Sequence, residues 1–445
     1  MPVMTTRRRF LAAAATISIV PRHIFAQGGR PGANGKLNIA GIGFGGMGKN
    51  NLHQIALAGH AITALCDVDS AYVQPVVAQY PQATFYTDYR ELFANQKDLD
   101  AVMIATPDHT HAVIAAAAIK AGKHVFVQKP LCHDVFECRE LMRLAKEKNV
   151  VTQMGIQGHA SPGFYLINEW IAAGGIGDLQ SIDAWCDLSY YPWGRAGWST
   201  LLGAKPAKGE PVPSTLNWDL FLGPAPVREY HPTYHPARWR AWWDFGNGMM
   251  GDRGAHTLDS VFTLLGQRMP TSVDATSCGL SPDIHPLSAI ITFQFAAHEG
   301  KPPLKLTWYE GTRPPRPAEL PDDQNLPREG GVIFNGSKAK LVCGVYGDSP
   351  RIIPEAAMKA FERPPQTLFR PKGGIEGDWL NAILEGRKAC ADFAYSARLT
   401  ELTLLGNLAK RVDGRIVWDD AAMRATNNDE ANRFIKGFRR EGWEL

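Results

Sequence analysis

The stretch 37–48, Leu-Asn-Ile-Ala-Gly-Ile-Gly-Phe-Gly-Gly-Met-Gly, constrains this chain more than any other. Leu37, Ile39 and Ala40 form a short apolar run suited to a buried strand, and Gly41, Gly43 and Gly46 follow in the spacing G-x-G-x-x-G. A helix opening near Met47 and running to Ala58 completes a strand–turn–helix unit. The chemistry asks for glycine three times: for the tight turn, for backbone approach to a pyrophosphate, and for close helix–strand packing. The helix N-terminus offers unpaired amide donors and a positive dipole end to phosphate. A Gly-rich turn alone is a weak signal. The next apolar run, 61–65, ends in Cys66-Asp67, and Asp67 lies 21 residues past Gly46. An acidic side chain there can accept from the adenine-ribose 2′-hydroxyl and repels a 2′-phosphate, so the two signals together predict NAD rather than NADP.

Short apolar runs recur at 37–41, 61–66, 101–105, 123–127 and 150–154, and the segments 47–58, 70–79, 89–95, 109–121 and 133–148 between them read as helices. Such alternation predicts an α/β unit with a doubly wound parallel sheet. Near Gly155 the style changes. A helix is expected over 164–173, ending at Gly174-Gly175; runs at 179–188, 288–296, 303–310, 331–335 and 338–345 then alternate apolar and polar residues. That is the pattern of a sheet with one covered face. Pro/Gly-rich stretches at 203–213 and 311–331 read as loops, and 378–384 and 396–411 as helices. The expected architecture is a nucleotide domain over 37–155 and an α+β domain over 156–445 with a large open, mostly antiparallel sheet.

A chain of 445 residues can bury two such cores. Ahead of them, Arg7, Arg8 and Arg9 precede a mostly apolar run at 11–20, followed by Ile24-Phe25-Ala26. The run is too short to span a bilayer, which needs about 20 residues. Arginines, a short apolar core and a small residue at a cut site make up an export signal, and this one resembles a twin-arginine signal. Residues 1–26 are therefore expected to be a leader for the twin-arginine export machinery, 27–36 a flexible lead-in, and the mature protein periplasmic. The leader holds four arginines and no acid, so the formal charge of +3 falls to −1 without it. Nothing in that balance points to nucleic acid. The seven cysteines show no C-x-x-C and no metal-ligand spacing, which reads as dispersed thiols and no metal site.

Three further stretches carry chemistry. Ala105-Thr106-Pro107-Asp108-His109-Thr110-His111 ends the third strand. It either borders the nicotinamide half of the cofactor or simply caps the next helix. Val127-Gln128-Lys129-Pro130 puts a lysine at a strand's carboxyl edge, either solvated or donating to a substrate hydroxyl, and Pro130 allows a cis peptide there. Asp252 and His256 are four apart and share a face if the stretch is helical. They are either an orienting carboxylate with its base or a capping aspartate and a core histidine. Trp242 and Trp243 either pack the core or, on the family resemblance given next, present apolar faces to a pyranose whose hydroxyls Arg238, Arg240 and His159 bond.

The glycine loop, Ala-Thr-Pro-Asp-x-x-His at 105–111, x-Lys-Pro at 128–130 and Asp-x-x-x-His at 252–256, in this order, resemble the Gfo/Idh/MocA oxidoreductase family. That family includes glucose–fructose oxidoreductase and inositol dehydrogenase. The resemblance implies a Rossmann domain, a second domain whose open sheet often mediates oligomerisation (a dimer or tetramer), and a catalytic set of Lys129, Asp252 and His256. It implies NAD contacts from Gly41, Gly43, Gly46, Met47, Asp67, Thr106, Pro107, His111, Gln128, Lys129 and Gln157. Gln128 departs from the family, which carries an acidic residue there, and the loss removes a partner for Lys129 or for the cofactor ribose. A closer likeness, to exported members from bacterial glycan-utilising systems, rests on the stretches 127–131, 152–159, 242–246 and 401–407 and on Trp418-Asp419. Some of those relatives oxidise glycosides at the sugar C3 hydroxyl. The expected activity is hydride transfer between a secondary hydroxyl of a sugar or glycoside and an NAD bound tightly enough to survive export. A redox-neutral glycosidase working by transient oxidation, or an inactive sugar-binding protein on the same fold, are the alternatives.

Overall fold

The computed structural model describes residues 35–192, 197–298 and 300–445. The expected leader lies outside them. The first unit runs β1 (Asn38–Ile42), α1 (Met47–Leu57), β2 (Ala61–Cys66), α2 (Ser70–Val77), β3 (Thr84–Tyr86), α3 (Tyr89–Asn95), β4 (Ala101–Ile104), α4 (Asp108–Lys120), β5 (His124–Gln128), α5 (Val135–Lys148) and β6 (Thr152–Gly155). Its strands are parallel in the order β3-β2-β1-β4-β5-β6. Every residue of β4 and β5 is buried, as expected of strands covered on both faces, and this is why they read as continuous apolar runs. Each fully buried Val or Ile there contributes about 1.5–3 kcal/mol. Only β3 escapes the sequence pattern, because a three-residue strand with Thr84 exposed is too short to show a period. Chain order reverses between β1 and β4, so the loops after these strands open onto the crevice where such sheets bind ligands.

The second unit continues through α6 (Pro162–Ala172), β7 (Leu179–Cys186), α7 (Trp218–Leu222), α8 (Gly248–Leu264), β8 (Ser272–Cys278), β9 (Ser288–Phe295), β10 (Leu304–Glu310), β11 (Gly331–Gly336), β12 (Lys340–Gly344) and β13 (Arg351–Ile353). It closes with α9 (Glu355–Ala360), α10 (Gly374–Glu385), α11 (Phe393–Val412), β14 (Arg415–Asp419), β15 (Arg424–Ala425) and α12 (Asp429–Asn432). The nine strands run β13-β12-β11-β7-β10-β9-β8-β14-β15, antiparallel except for the β7–β10 pair. The sequence pattern omits β8, β13, β14 and β15. β8 is Ser-Val-Asp-Ala-Thr-Ser-Cys, mostly polar and with only its first half well buried, while β13 and β15 have three and two residues.

The two sheets are joined by α11, which packs against α5 on one side and α8 and β8 on the other. Glu401 of α11 is fully buried and accepts from Arg139 Nε and Nη2 of α5, each at 2.7 Å. On the outer face of the large sheet, Leu320 and Leu326 of the loop after β10 cover Trp185, Ile333, Val342 and Ile353. Over β9 and β14 that face is open, with Ile290 and Val417 exposed. All seven cysteines are free thiols.

Candidate active site

One cavity of about 720 Å³ runs from the glycine loop to the N-terminal turns of α8. At its first end Gly43 takes φ +75°, and a Cβ there would lie 2.6 Å from the Thr106 amide nitrogen. Gly41 stands behind the wall, where a Cβ would meet Leu52 of α1 at 2.7 Å. The packing role expected of Gly46 belongs instead to Gly48, whose Cβ would strike the Gly43 carbonyl at 2.2 Å. Gly46 lines the cavity with open space where its Cβ would be, and Met47 follows as the first residue of α1. No side chain caps the first amides of that helix. An uncapped N-terminus beside such an opening is what a pyrophosphate requires.

Asp67 stands at the end of β2, its Oδ2 accepting from the Phe44 amide and its Oδ1 from the Asp69 amide, both at 3.1 Å. Burial pushes its carboxyl up to about 6 against the pull of those amides. Each oxygen keeps a lone pair for a ribose hydroxyl. Uncapped helix, open glycine and acid together fit NAD.

In the loop after β4, Thr106 and Pro107 line the cavity, and Pro107 rather than an aspartate precedes α4. Asp108 instead reaches across to α8, accepting from the Asn247 amide at 2.9 Å, and burial raises its carboxyl to about 7. His111 lies between the carbonyls of Thr106 and Pro130, each at 2.8 Å from a ring nitrogen, and burial lowers it to about 4, so it is neutral and donates to one of them. Gln128 lines the wall and donates to Asn51, which donates to Glu376 of α10 at 2.6 Å. The Glu376 carboxyl therefore stands two hydrogen bonds behind Gln128. Gln157 lines the wall beside α8.

At the far end Lys129, whose peptide to Pro130 is cis, forms an ion pair with Asp252 Oδ1 and reaches the Asp252 carbonyl at 3.2 Å. The other carboxylate oxygen of Asp252 accepts from the Tyr190 hydroxyl. Burial alone would raise Asp252, but the charges of Lys129 and Arg240 and the bonds from Lys129 and Tyr190 outweigh it and hold the group ionised, far below the usual carboxylate range. His256, one helical turn on, also lines the cavity, its ring 4.6 Å from that of Tyr346. Burial, with Lys129 nearby, holds its imidazole well below the ordinary value and therefore neutral. The expectation that Asp252 orients His256 is corrected. Both Asp252 oxygens are engaged elsewhere, and His256 Nδ1 has no hydrogen-bond partner among the described residues.

The expected sugar-binding residues divide. Arg240 lines the cavity, its guanidinium 4.3 Å from the rings of both Trp198 and Trp239. Trp242 and Trp243 do not reach the cavity. Trp242 is fully buried and donates to the Thr233 carbonyl at 3.0 Å, and Trp243 lies against His285 with ring centroids 3.5 Å apart. The cause is local: Arg238–Ala241 is a 3-10 turn and Trp242 is extended, so the two indoles are turned into the core. Arg238 is exposed outside the lining. His159 is buried, its Nδ1 2.8 Å from Asp259 and its ring between Phe164 and Tyr395.

Tyr190, Trp198, Trp239, Arg253 and Tyr346 are lining or anchoring residues that the sequence pattern does not single out. Trp239 and Arg253 sit inside the stretch that does stand out, next to Arg240 and Asp252. Tyr190, Trp198 and Tyr346 lie on loops with no local signal.

Two family profiles match the chain: the oxidoreductase family, NAD-binding Rossmann fold, over 37–156, and the oxidoreductase family, C-terminal alpha/beta domain, over 189–297. Together they span just over half of the chain. Inositol 2-dehydrogenase of Salmonella paratyphi B is 32% identical over 147 residues, 32% of this chain and 43% of that protein. Levoglucosan dehydrogenase of Pseudarthrobacter phenanthrenivorans is 29% identical over 156 residues, 33% of this chain and 39% of that protein. The chain thus spans less than half the length of these curated relatives. Among solved structures, the WlbA dehydrogenase of Bordetella pertussis, in complex with NADH and UDP-GlcNAcA, matches with a TM-score of 0.60 at 18% identity, over 86% of this chain and 99% of that one. The two share a fold.

Proposed function

The chain belongs to the Gfo/Idh/MocA oxidoreductase family with an NAD-binding Rossmann domain, and from that premise we propose that it oxidises a secondary hydroxyl of a sugar or glycoside, or reduces the matching ketone. One observation carries this reading: a dinucleotide cradle and a Lys129–Asp252–Tyr190 set with a neutral His256 occupy opposite ends of one cavity. The names of the relatives, inositol and levoglucosan dehydrogenases, support a polyol or sugar. Polar groups at that end, Arg240 and Arg253, suit its hydroxyls, and Trp198 and Trp239 supply apolar ring faces.

Held at the glycine loop and Asp67, NAD would supply the two-electron acceptor for the hydride of the carbinol carbon. His256 accepts the hydroxyl proton as general base, which its neutral state permits. Lys129 donates a hydrogen bond to the developing alkoxide and then to the carbonyl oxygen. Asp252, itself held by the Tyr190 hydroxyl, keeps the ammonium group in place. Asp67 favours NAD over NADP by repelling a 2′-phosphate. The likeness to exported glycoside-oxidising members supports the C3 hydroxyl as the reacting position.

We place the protein in the periplasm, carried there folded by residues 1–26. Since that compartment is not expected to hold a free nicotinamide pool, the cofactor travels with the protein and is recycled in place, either by a second substrate or within one catalytic cycle. The open face over β9 and β14 is the surface through which copies would associate as a dimer or tetramer. Desalted native protein should release NAD or NADH on denaturation, measured by mass spectrometry, and should convert one member of a glycoside panel to a keto-sugar. Free sugar appearing without net NADH would favour the redox-neutral glycosidase; no cofactor and no turnover would end the oxidoreductase reading. Replacing Arg7 and Arg8 by lysine should keep the protein in the cytoplasm on fractionation.

A further inference from the structure

Residues 437–445 lie beyond both matched family profiles and cross back over the nucleotide domain. Three anchors hold them. Arg439 is nearly buried and donates through Nη2 to Asp134 and Glu137 at the start of α5, at 2.8 and 2.9 Å, while the Gly437 amide donates to the same Asp134 at 2.8 Å. Arg440 donates to the Gly223 carbonyl at 2.6 Å and to the Asp219 side chain and carbonyl at 2.5 and 2.8 Å, all near α7. The Gly442 carbonyl accepts from Arg90 Nη2 at 3.1 Å, with that guanidinium 4.1 Å from the Trp443 ring.

The anchors deliver one side chain. Trp443 is 7% exposed although Gly442 and Glu444 beside it are exposed, and its indole lines the cavity together with Asp67, Thr87, Asp88 and Tyr89. Its ring centroid is 6.2 Å from that of Tyr89. These neighbours follow β2 and β3, so they stand on the Asp67 side of the α1 N-terminus, away from Lys129 and His256. A dinucleotide with its pyrophosphate at α1 and its ribose at Asp67 has its adenosine half there.

We propose that residues 437–445 are a strap whose Trp443 covers the adenosine half of the bound cofactor and slows its escape. Two arginine anchors and a buried indole fix the cover in advance, so little conformational entropy is lost when the cofactor binds. The inference rests on the cofactor lying in this cavity and not on the sugar chemistry.

The full-length protein, stripped of nucleotide, should be titrated with ADP-ribose, which keeps the adenosine half and lacks the nicotinamide ring, and with nicotinamide mononucleotide, which lacks the adenosine half. Trp443→Ala should weaken ADP-ribose and NAD about tenfold or more, within the range of lost aromatic stacking on a base, and leave nicotinamide mononucleotide unchanged. Trp443→Phe should recover most of the loss. Arg440→Gln touches no cavity wall and should speed NADH dissociation in stopped flow, which also decides the matter if Trp443→Ala does not fold. Wild-type ADP-ribose affinity in Trp443→Ala, or an unaltered NADH off-rate in Arg440→Gln, would overturn the strap while leaving the cofactor site intact. Failure of the unmodified protein to bind ADP-ribose or NAD at all would overturn the cofactor placement and the strap with it.

Discussion

The two ends of the cavity are built in opposite ways. The cofactor end draws its glycine loop, helix N-terminus and acid from residues 43–67, within one strand–helix–strand unit. The substrate end collects Lys129, Tyr190, Trp198, Arg240, Asp252, His256 and Tyr346 from elements scattered over more than 200 residues. A phosphate cradle is made of backbone geometry, which nearby glycines dictate. A sugar pocket is made of side chains, whose directions are settled by packing between the two sheets. The first end therefore tolerates little change in sequence spacing, and the second can be refitted by loop changes without disturbing the first.

If the ends are chemically separate, a change at one should spare the other. The largest effect is expected for Lys129→Met: kcat should fall by about 10²–10⁴-fold while NADH fluorescence titration shows unchanged cofactor affinity. Unchanged turnover would remove Lys129 from the mechanism. Trp242→Ala should act on neither end directly and instead lower unfolding stability by about 3–5 kcal/mol, read from denaturant midpoints. A selective rise in substrate KM without destabilisation would restore it to the sugar site. Asp67→Asn should weaken NAD by roughly 10- to 100-fold, the loss of a charged hydrogen bond of about 1.5–3 kcal/mol, with kcat at saturating NAD little altered. Tyr190→Phe leaves the Lys129–Asp252 pair in place and should lower kcat by about tenfold at most.

The smallest effects are in pH, and they sharpen the same comparison. Asp67 is raised to about 6, so it is a carboxylate above that pH and protonated below it. NAD affinity should be flat from pH 7 to 8 and fall as pH drops through about 6. His256 is lowered, so it stays neutral and able to accept a proton well below the ordinary histidine range. The acid limb of kcat at saturating NAD should therefore lie below pH 6.5, the ordinary histidine value. A limb at that value would show His256 titrating as a solvated imidazole.

Much of this was legible in the linear chain, and the failures have causes. The spacing of Gly41, Gly43 and Gly46 located the turn, although Gly48 turned out to do the packing, since that depends on where α1 leans. The i, i+4 spacing of Asp252 and His256 placed both on the cavity side of α8, but not their partners. Asp252 found an ammonium and a phenol from other elements, and these compete better for a carboxylate than an imidazole one turn away. Trp242 and Trp243 stand out as ring faces for a sugar because aromatic character is visible in sequence, whereas the direction of a side chain after a 3-10 turn is not.

The sequence by itself determined the parallel sheet, the phosphate cradle and the presence of Lys129, Asp252 and His256, because each depends on local periodicity or on a backbone shape that only glycine permits. Tertiary structure alone decided that Lys129 pairs with Asp252, that Trp198 and Trp239 rather than Trp242 and Trp243 face the cavity, and that Trp443 lines its other end. Those outcomes depend on contacts between residues far apart in the chain, whose closure is settled by the packing of α11 against both sheets and of α8 against α11 and β7, and is written in no single segment.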